Sequence, residues 1–172
     1  MRTKKIVFAG LFIAVGVLLP IAFHMLGASG RLFLPMHIPV LMGGLLLGPV
    51  YGLAVGVAVP VISSLVTGMP PVFPILPMMT AELATYGFLS GFLYKKCRLR
   101  LFVSMLGAMV AGRITCILML ALFAEWLQIK ADPVLYVLAG IWGGAVGIVM
   151  QLVLIPILVG RLKVAFGDHD LF

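Results

Sequence analysis

Long apolar runs dominate this chain, and they follow one another with only short interruptions. Six of them lie at about residues 6–26, 35–47, 50–67, 77–94, 101–127 and 133–162. A helix that crosses a bilayer needs about 20 mostly apolar residues. Of the 172 residues, 63% are apolar and only 10% are charged. Soluble domains contain fewer apolar and more charged residues. We therefore predict an all-α integral membrane protein, with residues 1–172 forming a single domain of six transmembrane helices.

The basic residues indicate how this bundle is oriented. Lys and Arg concentrate in the short loops on the cytoplasmic side of a membrane. With the N-terminus inside, nine of the twelve Lys and Arg residues fall on the cytoplasmic side, whereas Arg31 and Lys130 fall outside. We therefore predict that both termini are cytoplasmic. Because the basic residues form no stripe with interleaved aromatic residues, we interpret the net charge of +7 as a topology signal and expect no nucleic-acid partner.

One of the outer connections has an unusual composition. The segment GMPPVFPIL, residues 68–76, contains three prolines and no charge. Three prolines exclude a regular helix, and an uncharged apolar segment is not typical of a freely solvated loop. We predict that Met69, Pro70 and Pro71 belong to a lid at the outer end of the bundle.

Small residues recur at four-residue spacing in several runs. In lipid, such spacing allows the backbones of two helices to approach closely. For most of these glycines we expect packing within the bundle. The pair Gly10 and Ala14, on the first predicted helix, fits packing inside the bundle or contact with another membrane protein equally well.

Two charged residues lie within the apolar runs. Arg113 is near the middle of the fifth run, and Glu82 is about five residues from the outer end of the fourth. Ionisable groups at membrane depth are costly and mark a functional site or a buried pair. Two interpretations stay open: a permanent Arg113–Glu82 ion pair, or an arginine whose planar fork holds a carboxylate or another electron-rich group of a ligand.

Three further side chains are candidates for ligand contact. His37 begins the second run, between Pro35 and Pro39, and a neutral imidazole there can donate a hydrogen bond to a ligand. Tyr86 and Trp142 are residue types that frequent membrane interfaces. We include both in the predicted site, with Trp142 stacking on an aromatic ligand.

The sequence does not favour catalysis. It has no phosphate-binding G-x-x-x-x-G-K-[ST] motif, so we expect no ATPase activity of its own. Ser90 is predicted near the inner end of its helix, far from the outer histidines, which argues against a serine nucleophile. The histidines and carboxylates show no metal-ligand spacing. We predict a protein that is not an enzyme and has no cofactor, catalytic residue or metal site.

The run RLFLPMHIPVLMGGLLLGPVYGLAVGVAVPVISSLVTGMPP, followed by PMMTAELATYGFLSGFLYKK, resembles the substrate-binding S component of energy-coupling factor (ECF) transporters. The resemblance implies a multi-pass protein of a prokaryotic plasma membrane that binds a vitamin-like ligand and docks on a coupling membrane subunit with two ATPase subunits. It implies that Gly10 and Ala14, in place of the usual Ala-x-x-x-Ala, form the docking face. It also implies that the segments with Met36 and with Pro70 and Pro71 gate the site.

The ligand itself is less well defined by the sequence. An arginine and a glutamate in an apolar pocket suit a small water-soluble vitamin or cofactor precursor, similar to pantothenate, pyridoxine or a queuosine precursor. The alternative is a self-contained small channel or transporter, as a single chain or a homo-oligomer, in which the same charges line a pore. The lack of an internal repeat or a polar helical stripe argues against this alternative.

Overall fold

The computed structural model describes residues 2–25, 33–127 and 132–166, and every regular element in these ranges is a helix. The helices are α1 (Arg2–Met25), α2 (His37–Leu47), α3 (Pro49–Thr67), α4 (Ile75–Gly91), α5 (Leu101–Leu127), α6 (Pro133–Gly143) and α7 (Ala145–Phe166). A π-helical turn, Phe92–Lys96, extends α4. Arg31 and Lys130, the two basic residues predicted to face outward, lie outside the described residues.

Four of these helices, α1, α3, α5 and α7, are long and apolar enough to cross a membrane. The all-α membrane class predicted from the sequence is consistent with this architecture. The predicted break between the second and third apolar runs lies at Gly48, whose φ of 99° favours glycine. Pro49 then starts α3, a position at which its missing N–H is tolerated.

The sixth predicted helix, residues 133–162, is divided in the structure. It breaks at Gly144 into α6 and α7, although the hydrogen bonds Gly144 N to Gly140 O and Ile148 N to Gly144 O, both 2.9 Å, continue across the break. Four glycines within residues 140–147 weaken helix propensity there. A Cβ at Gly144 would lie 2.8 Å from Leu34 Cδ1, so the absence of a side chain at Gly144 leaves room for Leu34.

Helix α2 lies at the centre of the bundle, and all of its 11 residues are buried. It packs against α1, α3, α4 and α7. A helix that is apolar on every side needs such complete enclosure. Its central position explains why 11 residues suffice, since α2 is surrounded by protein rather than by lipid.

Glycines bring α2, α3 and α4 into backbone contact. A Cβ at Gly52 would meet the Gly87 carbonyl oxygen, and one at Gly56 would meet that of Leu83. A Cβ at Gly91 would lie 2.6 Å from the Gly44 carbonyl oxygen. This is the close approach that small residues allow in membrane bundles, and it makes these three helices a tightly packed unit.

Basic residues from distant parts of the chain share one end of the bundle. The Lys163 ammonium on α7 donates to the Tyr94 hydroxyl at 2.8 Å and lies 5.2 Å from the centre of the Tyr94 ring. Tyr94 directly precedes Lys95 and Lys96. The basic segment after α4 and the end of α7 therefore lie together, on the side that the sequence assigns to the cytoplasm.

Candidate functional site

Three helices bring four polar side chains together. Glu82 and Tyr86 lie one turn apart on α4, Arg113 lies on the adjacent α5, and His37 is the first residue of α2. Positions four apart share one face of a helix. Both Glu82 and Tyr86 therefore point toward the junction of α2, α4 and α5.

Glu82 accepts from two of these neighbours through the same oxygen. Arg113 Nη1 lies 3.0 Å from Glu82 Oε1, and the Tyr86 hydroxyl donates to that atom at 2.9 Å. The Glu82 side chain is 7% exposed and that of Arg113 is 18% exposed. A buried carboxylate is tolerated when an opposite charge and further hydrogen bonds compensate it, and both are present here.

Gly112 allows this arrangement, because the Tyr86 ring occupies the space that a Cβ at Gly112 would need. The ring can therefore lie directly on the α5 backbone beside Arg113. Thr85 and Thr115 add a second polar contact between α4 and α5, with their hydroxyl oxygens 3.2 Å apart. The two helices are thus linked by hydrogen bonds at the level of the ion pair.

His37 is a buried polar residue beside this ion pair. It is 3% exposed, and neither ring nitrogen has a hydrogen-bond partner among the described residues. Its Nε2 is 3.9 Å from Glu82 Oε1, too far for a hydrogen bond, and its ring centre is 5.3 Å from that of Tyr86. A buried polar group of this kind calls for an explanation, and a bound molecule supplies one.

A cavity of about 350 Å³ adjoins these residues. His37, Tyr86, Arg113 and Gln151 line it, chiefly through their apolar atoms. Apolar side chains of α5, α6 and α7 form most of the remainder, among them Met109, Val110, Ile114, Val137, Ile141 and Ile148. An apolar cavity with a few convergent polar groups is the usual form of a small-molecule site, and this volume lies at the small end of the range.

Sequence reasoning missed the part that Leu34 plays in this site. Leu34 lines the cavity, its φ is 47°, and its carbonyl oxygen accepts from Gln151 Nε2 at 3.5 Å. A leucine in the left-handed region is uncommon and indicates a locally constrained backbone. Gln151 was visible in the sequence as a polar residue within an apolar run, but nothing there linked it to Leu34.

The comparison with protein-family models decides what kind of protein this is. The model described as "ECF transporter, substrate-specific component" matches residues 4–159. The chain belongs to this family. The resemblance noted in the sequence is therefore confirmed. Neither the comparison with curated proteins nor that with solved structures gives a match.

As an ECF substrate-specific component, the chain is a membrane transport protein that binds a substrate, and this family is not one of enzymes. The structure brings together four of its predicted site residues: Glu82, Arg113, His37 and Tyr86. Trp142 does not join them, since it is 81% exposed on the outside of α6 and is not part of the cavity wall.

The predicted lid of this S component is held in place but does not line the cavity. Ser63 donates to the Met69 carbonyl at 2.9 Å, and Ser64 donates to the Pro70 carbonyl at 2.7 Å. Met69 and Pro71 are exposed, whereas Pro70 is buried. Two α3 hydroxyls thus fix the path of the segment.

The segment also reaches α5, where Phe73 contacts Phe123 edge to face with ring centres 5.6 Å apart. Met36, predicted to gate the site, is 7% exposed and packs in the main core instead of facing the cavity. Leu34, two residues earlier, occupies the wall.

The predicted docking residues of this S component lie on the outside of the bundle. Gly10 and Ala14 are both exposed on α1, and a Cβ added at Gly10 would meet nothing within 4 Å. Val7 and Leu18, at matching positions of the helix, are 65% and 61% exposed. This face of α1 is therefore unoccupied by the rest of the described chain.

Proposed function

We propose that this S component is the high-affinity substrate-binding subunit of an ECF-type importer, and that it captures a small water-soluble vitamin or cofactor precursor from outside the cell. The compounds that we propose are similar to pantothenate, pyridoxine or a queuosine precursor. The observation that carries this proposal is the cavity of about 350 Å³, whose wall combines His37, Tyr86, Arg113 and Gln151 with apolar side chains.

Each polar residue has a separate task in this proposal. His37 offers the ligand its unpartnered ring nitrogens, and Gln151 holds the Leu34 carbonyl and thereby the segment before α2. Arg113 presents N–H groups that Glu82 does not use, since a guanidinium carries five donors. Glu82 fixes the orientation of Arg113 from behind the cavity wall and is itself held by the Tyr86 hydroxyl, so the site is preorganised before the ligand arrives.

Access to the site is proposed to come from the outer side. In this proposal six membrane crossings place both termini in the cytoplasm of a prokaryotic cell, and the α2 end that carries His37 faces outward. The Met69–Pro71 segment then covers the outer end of α4 and α5. Its anchoring by Ser63 and Ser64 supports a lid with a defined resting position.

Transport requires partners in this proposal. The exposed face of α1, with Gly10 and Ala14, docks on a coupling membrane subunit that carries two ATPase subunits. Small residues permit close approach of a partner helix, and the open space around Gly10 supports this use of the surface.

Equilibrium dialysis tests the binding proposal. The detergent-purified chain is dialysed without nucleotide against a vitamin-rich growth extract, and compounds enriched on the protein side are measured by mass spectrometry. We expect one compound at a stoichiometry approaching one per chain. Absence of any enriched compound would contradict the proposed function.

A further inference from the structure

The charges around the cavity are already balanced by the protein. Arg113 is paired with Glu82 at 3.0 Å, and the Tyr86 hydroxyl donates to the same carboxylate oxygen at 2.9 Å. A ligand carboxylate beside Arg113 would add a second negative charge close to Glu82. In a buried setting an uncompensated charge is strongly unfavourable.

His37 offers a ligand hydrogen-bonding atoms. Its ring is buried and has no hydrogen-bond acceptor among the described residues, and the nearest carboxylate oxygen, 3.9 Å away, already faces Arg113. The two nitrogens of an imidazole ring can bond to donor and acceptor groups of a ligand, so His37 can hold a polar ligand that carries no charge.

The apolar part of the cavity wall favours an apolar ligand body. Val110, Ile114 and Leu138 line the cavity and are also 60%, 52% and 48% exposed. The cavity therefore reaches the surface of the bundle between α5 and α6, where the proposed membrane arrangement places lipid. A charged group on that side would face hydrocarbon, whereas a ring or an alkyl group would not be penalised.

We infer that the cavity selects a compound with no net charge, which places donor and acceptor groups against His37 and Gln151 and an apolar body toward α5 and α6. This inference rests on the proposed function and narrows its substrate class. It favours uncharged compounds of the pyridoxine or deazapurine kind over a free carboxylate such as pantothenate.

The test measures the charge of the natural ligand directly. The wild-type chain is loaded from a vitamin-rich growth extract, washed and denatured, and the released compound is examined by capillary electrophoresis at pH 7. We expect it to migrate with the neutral marker. Migration as an anion or a cation would overturn the inference while supporting the proposed function, and release of no compound would contradict both.

A variant pair provides a second readout. Glu82→Gln leaves the Arg113 charge unbalanced, so the affinity for the released compound should fall or stay the same if that compound is neutral. Glu125→Gln, an exposed acid on the same α5 as Arg113, is the matched control and should leave the affinity unchanged. A tenfold or greater gain of affinity in Glu82→Gln alone would identify an anionic ligand and overturn the inference.

Discussion

The Glu82 carboxylate is the group around which Arg113, Tyr86 and His37 are arranged. It faces Arg113 and Tyr86 at hydrogen-bond distance, while His37 stays beyond that distance. Two residues of the site therefore satisfy Glu82, and one is left for a ligand. This division leads to different expectations for variants of Arg113 and of His37.

Replacing Arg113 should destabilise the protein more than replacing the whole pair. Arg113→Gln leaves a buried carboxylate without its cation, at an expected cost of about 3–5 kcal/mol. The double variant Glu82→Gln with Arg113→Gln should recover a large part of this loss. Unfolding by SDS titration, followed by circular dichroism, measures the difference; equal loss in the single and double variants would contradict the buried pair.

Replacing His37 should affect binding rather than stability. His37→Phe keeps a ring against Tyr86 and removes two buried nitrogens that have no hydrogen-bond partner among the described residues, so the unfolding free energy should not fall. Loss of a ligand hydrogen bond should weaken binding about tenfold, corresponding to about 1.4 kcal/mol. Dialysis with the extract-derived compound measures this, and unchanged affinity would remove His37 from the site.

At the scale of single residues, the sequence predicted which residues belong to the candidate site better than it predicted the contacts between them. Arg113 and Glu82 stood out because ionisable residues are rare at membrane depth, and His37 because it lies between two prolines. The pairing stayed open, since the depth of a residue does not determine which way its side chain points. Leu34 had no polar signal, because its contribution to Gln151 is a backbone carbonyl.

At the scale of helices, close backbone contact distinguishes α2, α3 and α4 from the more loosely joined α6 and α7. The periodic glycines predicted tight packing, and the structure places Gly44, Gly52 and Gly87 in direct contact. The break at Gly144 was not predicted, because hydropathy runs through it without interruption. A distant residue, Leu34, occupies the space beside Gly144.

Adding one methyl group should show where this packing is tight. Gly52→Ala would place a Cβ against the Gly87 carbonyl and should lower the unfolding free energy. Gly140→Ala meets nothing within 4 Å and should be neutral or stabilise α6 by up to about 1 kcal/mol. Thermal unfolding in detergent compares the two, and equal midpoints would contradict the tight packing of α3 on α4.

The exposed face of α1 should matter for transport alone. Gly10→Leu fills open space on the surface, so binding by the purified chain should stay the same while uptake by cells that express the whole transporter is lost. Gly160→Leu, at an equally open glycine of α7, is the matched control and should preserve uptake. Loss of ligand binding in Gly10→Leu would place this face inside the bundle.

At the scale of the whole molecule, the chain contains a binding site but no phosphate-binding motif. The class of the fold was predictable because a chain this apolar has few alternatives to a helical membrane bundle. Membership of the ECF substrate-specific components agrees with a subunit that depends on others for energy. The position of the cavity between α5, α6 and α7 required the three-dimensional structure.

Proteoliposomes that contain only this chain should bind the extract-derived compound without concentrating it, even with ATP inside. Accumulation should begin when a coupling subunit and its two ATPases are added. The amount of the compound inside the vesicles is measured over time, and vesicles without protein serve as the control. Uphill accumulation by the chain alone would favour the self-contained transporter.

The most direct test of the central claim is an experimental structure of the chain bound to the compound that it takes from the extract. Our account predicts density for the compound in the cavity, within hydrogen-bond distance of His37 and beside Gln151, with Arg113 still paired to Glu82. Density elsewhere on the chain, or an Arg113 side chain that faces lipid, would contradict it.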